Sequence, residues 1–330
     1  MIEQLALEAI KLEVSDLHLT AGQHAFYRKD GDLISAATEN VSANEIEDFL
    51  KTALTTMQYD NLIKQRSIDF SWRFNERRFR VNVYYQREQP ALAMRLIPAK
   101  IPTLSEIGAP EILNKLVNST QGMLLITGRT GSGKSTTLAA FIDAICKSRS
   151  CHVLTLEDPI EYEYKNDNCF ISQRELGKDF LTFPQALKSA LREMPDILLV
   201  GEIRDSETMA MSMEAAAAGI FVLGTLHTKS AADTAMRIES MFAIEQRDAI
   251  RDQFADVFTG ILSQQLIKKI NGGRVSAAEV LISTSATSNL IRQGKYMQLS
   301  SVMMSSRNLG MQTMEAAVQK LIAAKQISAI

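Results

Sequence analysis

Cysteine is scarce in this 330-residue chain, and Cys146, Cys151 and Cys169 are odd in number with no C-x-x-C spacing. That excludes a disulfide framework and a four-cysteine zinc site, and it predicts buried free thiols. An excess of one charge is also missing. The 36 Lys and Arg nearly balance the 38 Asp and Glu, for a formal net charge of -2, so no basic surplus argues for a nucleic-acid partner. Long apolar runs are absent too. The most membrane-like stretch, Met209 to Leu226, is interrupted by Glu214 and Gly219 and carries a helix-then-strand pattern, so it reads as core and no membrane insertion is expected. The opening Met1-Ile2-Glu3-Gln4-Leu5 has no basic segment leading into an apolar one, so no secretory signal is read and a cytoplasmic setting is expected.

What is present is an ordinary globular composition, 46% apolar and 22% charged, in a chain long enough for two domains. Ile2, Leu5, Ala6, Ala9 and Ile10 recur at helical spacing, and Ser15 to Leu19 then alternates polar with apolar as a half-buried strand does. Tyr27 to Ile34 reads as a hairpin around Lys29-Asp30-Gly31-Asp32, and Ser42 with Glu45 opens a helix through a capping box. Ile68 to Phe74, Arg77 to Gln86 and Ala91 to Ile97 read as strands, which makes residues 1–98 an α+β domain. Pro98-Ala99-Lys100-Ile101-Pro102 breaks both helix and strand, so a linker is placed at 99–104 and a second domain at 105–330. In that second domain apolar strands alternate with helices up to Met241, which predicts a parallel sheet covered on both faces. From about Asp248 onward the pattern reads as mostly helical, with a hairpin around Asn271-Gly272-Gly273.

Parallel sheets bind ligands beyond the carboxyl ends of their strands, so the residues just after each strand are the candidates for chemistry. Gly128-Arg129-Thr130-Gly131-Ser132-Gly133-Lys134-Ser135-Thr136 follows one such strand and opens a helix, which is the context a phosphate-binding P-loop requires. Gly128, Thr130, Gly131, Ser132, Gly133, Lys134, Ser135 and Thr136 are the candidate nucleotide-binding residues. Lys134 is expected to reach the β- and γ-phosphates, and Ser135 to ligate Mg²⁺. Glu157, Asp158 and Glu161 follow a second strand and suit Mg²⁺ coordination through water, or orientation of an attacking water. Glu202 ends a third strand, Ile197 to Gly201, and is the preferred general base. His227 ends a fourth and is placed to report the γ-phosphate through a hydrogen bond; no second His or Cys at ligand spacing makes it a metal site.

The sequences G-R-T-G-S-G-K-S-T, T-L-E-D-P-I-E-Y, A-L-R-E-M-P-D-I-L-L-V-G-E-I-R-D and T-L-H-T resemble the Walker A, Asp box, Walker B and His box of secretion and type IV pilus ATPases. Within that superfamily the chain is most similar to the PilT-type retraction motors, with V-S-D-L-H-L-T-A-G, R-F-R-V-N, Q-R-E-L-G, N-L-I-R-Q-G-K and Q-T-M-E-A-A in the same order along nearly its whole length. The resemblance implies a PAS-like N-terminal domain joined to a RecA-like P-loop ATPase domain, a homohexameric ring, ATP and Mg²⁺ as cofactors, and a platform protein of the inner membrane as partner. It implies that arginines of the first domain approach the phosphates, with Arg80 and Arg95 preferred over Arg78, while Arg192 and Arg204 are candidates for interdomain or intersubunit pairs. The implied activity is ATP hydrolysis that drives pilus retraction and twitching-type motility from the inner face of the cytoplasmic membrane. A pilus assembly or secretion ATPase, and a nucleotide-binding scaffold of low turnover, are the alternatives. The chain departs from the family at Ala218-Gly219-Ile220, where T-G-H is usual, at Met194, where an acidic residue is usual, and across Ser285 to Gln293.

Overall fold

The computed structural model describes residues 1–29, 31–36, 40–97, 100–164 and 168–328. The chain divides into two compact units, Met1–Lys100 and Ile101–Ile330. The first contains α1 (Ile2–Leu12), β1 (Asp16–Thr20), β2 (Phe26–Lys29), β3 (Asp32–Ser35), α2 (Ala43–Ala53), α3 (Thr56–Gln65), β4 (Ser67–Phe74), β5 (Arg77–Gln86) and β6 (Gln89–Leu96). Reciprocal capping boxes start two of the helices, Ser42 with Glu45 at α2 and Thr55 with Gln58 at α3, each such cap being worth about 1 kcal/mol. The sequence reading missed α3, whose alternation of polar and apolar residues is weak and of which only Leu62 is buried.

The strands of this unit form one antiparallel sheet in the order β3-β2-β1-β6-β5-β4. Alternate residues of β5, Phe79, Val81 and Val83, turn inward to meet Leu5 of α1 and Ile46 and Leu50 of α2 in a single core. Their neighbours Arg78 and Arg80 therefore lie on the opposite face. Asp30, in the expected hairpin turn, and Pro98 and Ala99, in the expected linker, lie outside the described residues.

The second unit contains α4 (Ile112–Leu116), β7 (Gly122–Thr127), α5 (Lys134–Ser148), β8 (His152–Glu157), β9 (Phe170–Glu175), α6 (Phe183–Ala190), β10 (Ile197–Val200), α7 (Ser206–Ala217), β11 (Phe221–Leu226) and α8 (Ala231–Ser240). It continues with α9 (Arg247–Val257), β12 (Phe258–Lys268), β13 (Arg274–Ile282), α10 (Ser285–Arg292), α11 (Leu299–Ser305) and α12 (Met314–Ala323). Its sheet runs β13-β12-β7-β11-β10-β8-β9 and is parallel except for β13. Strands such as Ile197–Val200, buried at every position, need cover on both sides, and two apolar cores supply it, one on each face.

Two features of this unit go beyond the expectation. The region after Asp248 carries helices α9 to α12 and the expected hairpin around Asn271-Gly272-Gly273, but the hairpin has long arms and its strand β12 inserts next to the P-loop strand β7. Ser263, Gln264 and Gln265 interrupt the apolar pattern of β12 and mask it in the sequence, yet Ser263 and Gln264 are buried. The sheet also has a further strand, β9, which pairs with β8 at the edge; its residues are mostly half-exposed, so no apolar run announced it. The departure at Ala218-Gly219-Ile220 ends α7. Gly219 takes φ +98°, and the amides of Gly219 and Ile220 return to the carbonyls of Ala216 and Ala215. Among the described residues no helix is long and apolar enough to cross a membrane.

Candidate active site

Because β7, β11, β10 and β8 are adjacent and parallel, their carboxyl ends deliver the four expected segments side by side. The P-loop leaves β7 at Gly128, whose φ is +145°. A Cβ there would lie 2.3 Å from the carbonyl oxygen of Gln264 and 2.5 Å from Ser132 Oγ, so only glycine fits. Gly133 caps α5 at φ +88° and makes no side-chain cap bond, which leaves the first amides of that helix for an anion. Ser132 Oγ is buried without a hydrogen-bond partner among the described residues. The loop thus presents unfilled donors where a phosphate would sit, which fits a nucleotide.

Lys134 Nζ donates to the carbonyls of Gly128 at 2.9 Å and Arg129 at 3.2 Å, folding back over the loop. Burial lowers its pKa, opposed by the nearby carboxylates of Glu202 and Glu161. Lys134, Glu202 and Glu161 therefore share one electrostatic neighbourhood. Ser135 is half-buried at the start of α5, Thr130 is exposed on the loop, and Thr136 Oγ1 lies 3.0 Å from Tyr162 Oη.

Glu202 sits between two partners. Arg204 donates to its Oε2 at 2.7 Å, and His227 Nε2 lies 3.2 Å from its Oε1. The Arg204 hydrogen bond, outweighing partial burial, holds the carboxyl below its ordinary range, and His227 and Lys134 add to that effect. Arg204, expected in interdomain or intersubunit pairs, is thus bound to Glu202 within the chain, whereas Arg192 is exposed. Glu202, Arg204, Leu226, His227 and Arg237 line a cavity of about 160 Å³.

The carboxylates after β8 divide by environment. Glu157, the last residue of that strand, turns inward and accepts hydrogen bonds from Thr155 at 2.7 Å, from Gln173 at 3.3 Å and from the Glu161 amide. Burial pushes its carboxyl up to about 7. Asp158 is exposed and Glu161 half-buried. Among the described residues no three His, Cys, Asp or Glu side chains gather as a protein-only metal cage, so a cation here would need the phosphates as ligands.

Arg80 and Arg95 belong to the first unit. They stand opposite each other across β5 and β6, on one face of that sheet, with Arg95 2.9 Å from Asp16 and Arg80 4.0 Å from Asp69. The sequence reading named no role for Gln264, Gln173 or Tyr162. Gln264 is recognisable by its polarity within an otherwise apolar run, and Tyr162 and Gln173 by their places in the T-L-E-D-P-I-E-Y and Q-R-E-L-G segments, although neither segment by itself tells what the side chain binds.

Comparison with known proteins gives the same reading along the whole chain. A family described as type II/IV secretion system protein matches residues 1–328. The chain belongs to that family. A member from Pseudomonas aeruginosa, described as the type IV pilus retraction ATPase PilT, is 40% identical over 328 residues, which are 99% of this chain and 95% of that protein. The twitching motility protein of Neisseria gonorrhoeae is 40% identical over 319 residues, covering 94% of this chain and 85% of that one. Among solved structures, that of the pilus retraction motor PilT with bound ADP superposes with a TM-score of 0.91 at 40% identity, covering 99% of this chain and 94% of that one. For this secretion-family chain the overlap reaches across both units, so the fold similarity is not confined to the P-loop.

Proposed function

We propose that this chain is an ATP-driven motor that retracts type IV pili. It hydrolyses ATP as a cytoplasmic homohexamer at the inner face of the cytoplasmic membrane and works against an inner-membrane platform protein. The observation that carries this reading is the full-length similarity to a retraction ATPase, joined to a site where Lys134, Glu161, Glu202 and His227 converge at adjacent strand ends. The two units correspond on this reading to a PAS-like and a RecA-like domain.

At the site, the P-loop amides, Lys134 and Thr136 bind the phosphates. Ser135 and Asp158 would hold Mg²⁺ together with those phosphates, their hard oxygens suiting that ion, while Glu157 fixes the loop that carries Asp158 and Glu161 from behind. The bound ion would neutralise phosphate charge. Glu202, kept anionic by Arg204, orients the attacking water through Oε1, and His227 shares that oxygen until nucleotide is in place. Arg80 and Arg95 are proposed to supplement this charge, on the strength of the family resemblance.

The experiment is pilus number and length per cell, by microscopy, in a strain lacking the gene and in one carrying Glu202→Gln. More or longer pili in both support retraction driven by hydrolysis. Loss of pili in both would instead mark an assembly motor, and a defect in the deletion alone would mark a scaffold.

A further inference from the structure

A row of polar side chains crosses the otherwise apolar sheet of the second unit. Glu279 of β13 stands opposite Ser263 of β12, and Ser263 stands opposite Thr127 of β7, so the three share one face. All three are buried, and Thr127 is the last residue before the P-loop. Ser263 Oγ lies 2.7 Å from Thr127 Oγ1, and Thr234 Oγ1 of α8, whose proton goes to the Ser230 carbonyl at 2.7 Å, lies 3.4 Å from the same Thr127 oxygen. Thr234 Oγ1 is in turn 2.7 Å from Thr228 Oγ1, the residue after His227. Helix α8 therefore lies across the row, with its second turn on Thr127 and the His227 loop held by its own threonine.

The far end of the row fixes the start of that helix. Glu279 Oε1 accepts the main-chain N–H of Ala231, the first residue of α8, at 2.7 Å. Its Oε2 accepts the N–H of Met314, the first residue of α12, at 3.4 Å. One carboxylate thus meets the positive ends of two helices that are far apart in sequence. The segment leading into α12 is clipped to the same strand: Val280 and Gln312 exchange main-chain bonds at 2.8 and 3.2 Å, and Gln312 Nε2 donates to the Ala278 carbonyl at 2.7 Å. The two amides bond different oxygens and so fix the carboxylate at both, and displacing α12 leaves one buried oxygen unpaired and frees the side chain that holds the start of α8 to reorient.

We propose that Glu279 is a positioning residue that couples the C-terminal helix α12 to the loop carrying His227 and Thr228. Docking of α12 steadies Glu279, Glu279 holds the first turn of α8, and α8 sets the loop beside Glu202. Anything that displaces α12 then reaches the hydrolysis site without touching nucleotide. The catalytic consequence rests on the ATPase reading above; the mechanical link does not.

The test uses the full chain with Met314→Pro, Glu279→Gln and both together. Proline at the first position of a helix is well tolerated, and Thr313 before it already has φ -80° and ψ 160°, so the substitution removes the N–H offered to Glu279 with α12 retained. Hydrogen–deuterium exchange of residues 226–236 is measured without nucleotide, alongside steady-state ATP turnover and affinity for a fluorescent ADP analogue. Exchange at the first turn of α8 is expected to rise about threefold in Met314→Pro, because the bond removed is a long one of 3.4 Å on α12 and only part of its loss reaches α8 through Glu279. Turnover should fall about threefold to tenfold with ADP affinity within about twofold, and the double variant should be no worse than Glu279→Gln alone, because both cut one link. Unchanged exchange at 226–236 in Met314→Pro overturns the coupling, as do turnover losses that multiply in the double variant. If Glu279→Gln does not fold, Met314→Pro decides alone. A wild-type protein that does not hydrolyse ATP would instead sink the ATPase reading, and the exchange result would still decide the coupling.

Discussion

The side-chain amide of Gln264 donates to the main-chain carbonyl of Ser132 at 2.7 Å, so the middle of β12 forms the floor of the P-loop. Gln264 is buried, and the bond gives the Ser132 carbonyl its partner away from water. Replacement by Leu keeps much of the volume and removes the donor, which leaves a buried carbonyl unpaired at a cost of about 1–3 kcal/mol. Gln264→Leu is therefore expected to weaken ADP binding about tenfold in a fluorescence titration. Affinity equal to wild type would show that the loop keeps its shape without this support.

Two glycines of the loop should respond differently to the same substitution. At Gly128 a methyl group meets the Gln264 carbonyl at 2.3 Å, whereas at Gly131 nothing lies within 4 Å and only its φ of +77° resists a side chain. Gly131→Ala should cost about 1 kcal/mol and keep nucleotide binding. Gly128→Ala should abolish it, read as the loss of the rise in melting temperature that ADP produces in the wild type.

Lys134 and Glu202 should separate binding from chemistry. Lys134→Ala is expected to lose both nucleotide affinity and turnover. Glu202→Gln should bind ADP normally and hydrolyse ATP at least about 100-fold more slowly, the scale of losing one acid–base group. Chelation with EDTA should stop wild-type turnover, and added Mg²⁺ should restore it. Steady-state hydrolysis unchanged in both variants would remove these residues from the catalytic assignment.

The pairing of Glu202 also sets a pH signature. Its pKa is lowered in the folded chain, chiefly by the Arg204 hydrogen bond, so its contribution to stability is complete above the ordinary carboxylate value of 4.5 and is lost as pH falls through the folded value. The melting temperature of wild type should therefore exceed that of Glu202→Gln near neutral pH, by an amount reflecting about 1 kcal/mol, and the gap should close below pH 4.5. A gap that widens on acidification would show that the pair does not stabilise the fold.

Much of the second unit could be read directly from the chain. Strands β7, β8, β10 and β11 are short apolar runs with a glycine or a polar residue at or just past their ends, and the P-loop carries its chemistry in consecutive residues, so Gly128 to Thr136 are legible in the sequence alone. Glu202 and His227 are legible for the same reason, each being a polar residue within two positions of the end of an apolar strand. The bonds of Glu202 to His227 and Arg204 are not, because residues that follow two adjacent strands, or stand two apart in one loop, meet only if the backbone beyond the strands turns their side chains toward each other.

Local pattern by itself thus determined the elements, the P-loop and the residues offered at strand ends. Only the tertiary structure decided that Glu157 turns inward, that β12 lies beside β7 to bring Gln264 under Ser132, and that Glu279 joins the starts of α8 and α12. The physical reason is range. Helix periodicity, caps and glycine conformations act over a few residues, whereas a buried polar atom takes whatever donor the fold brings to it, and Gln264 and Ser132 are 132 positions apart in the chain.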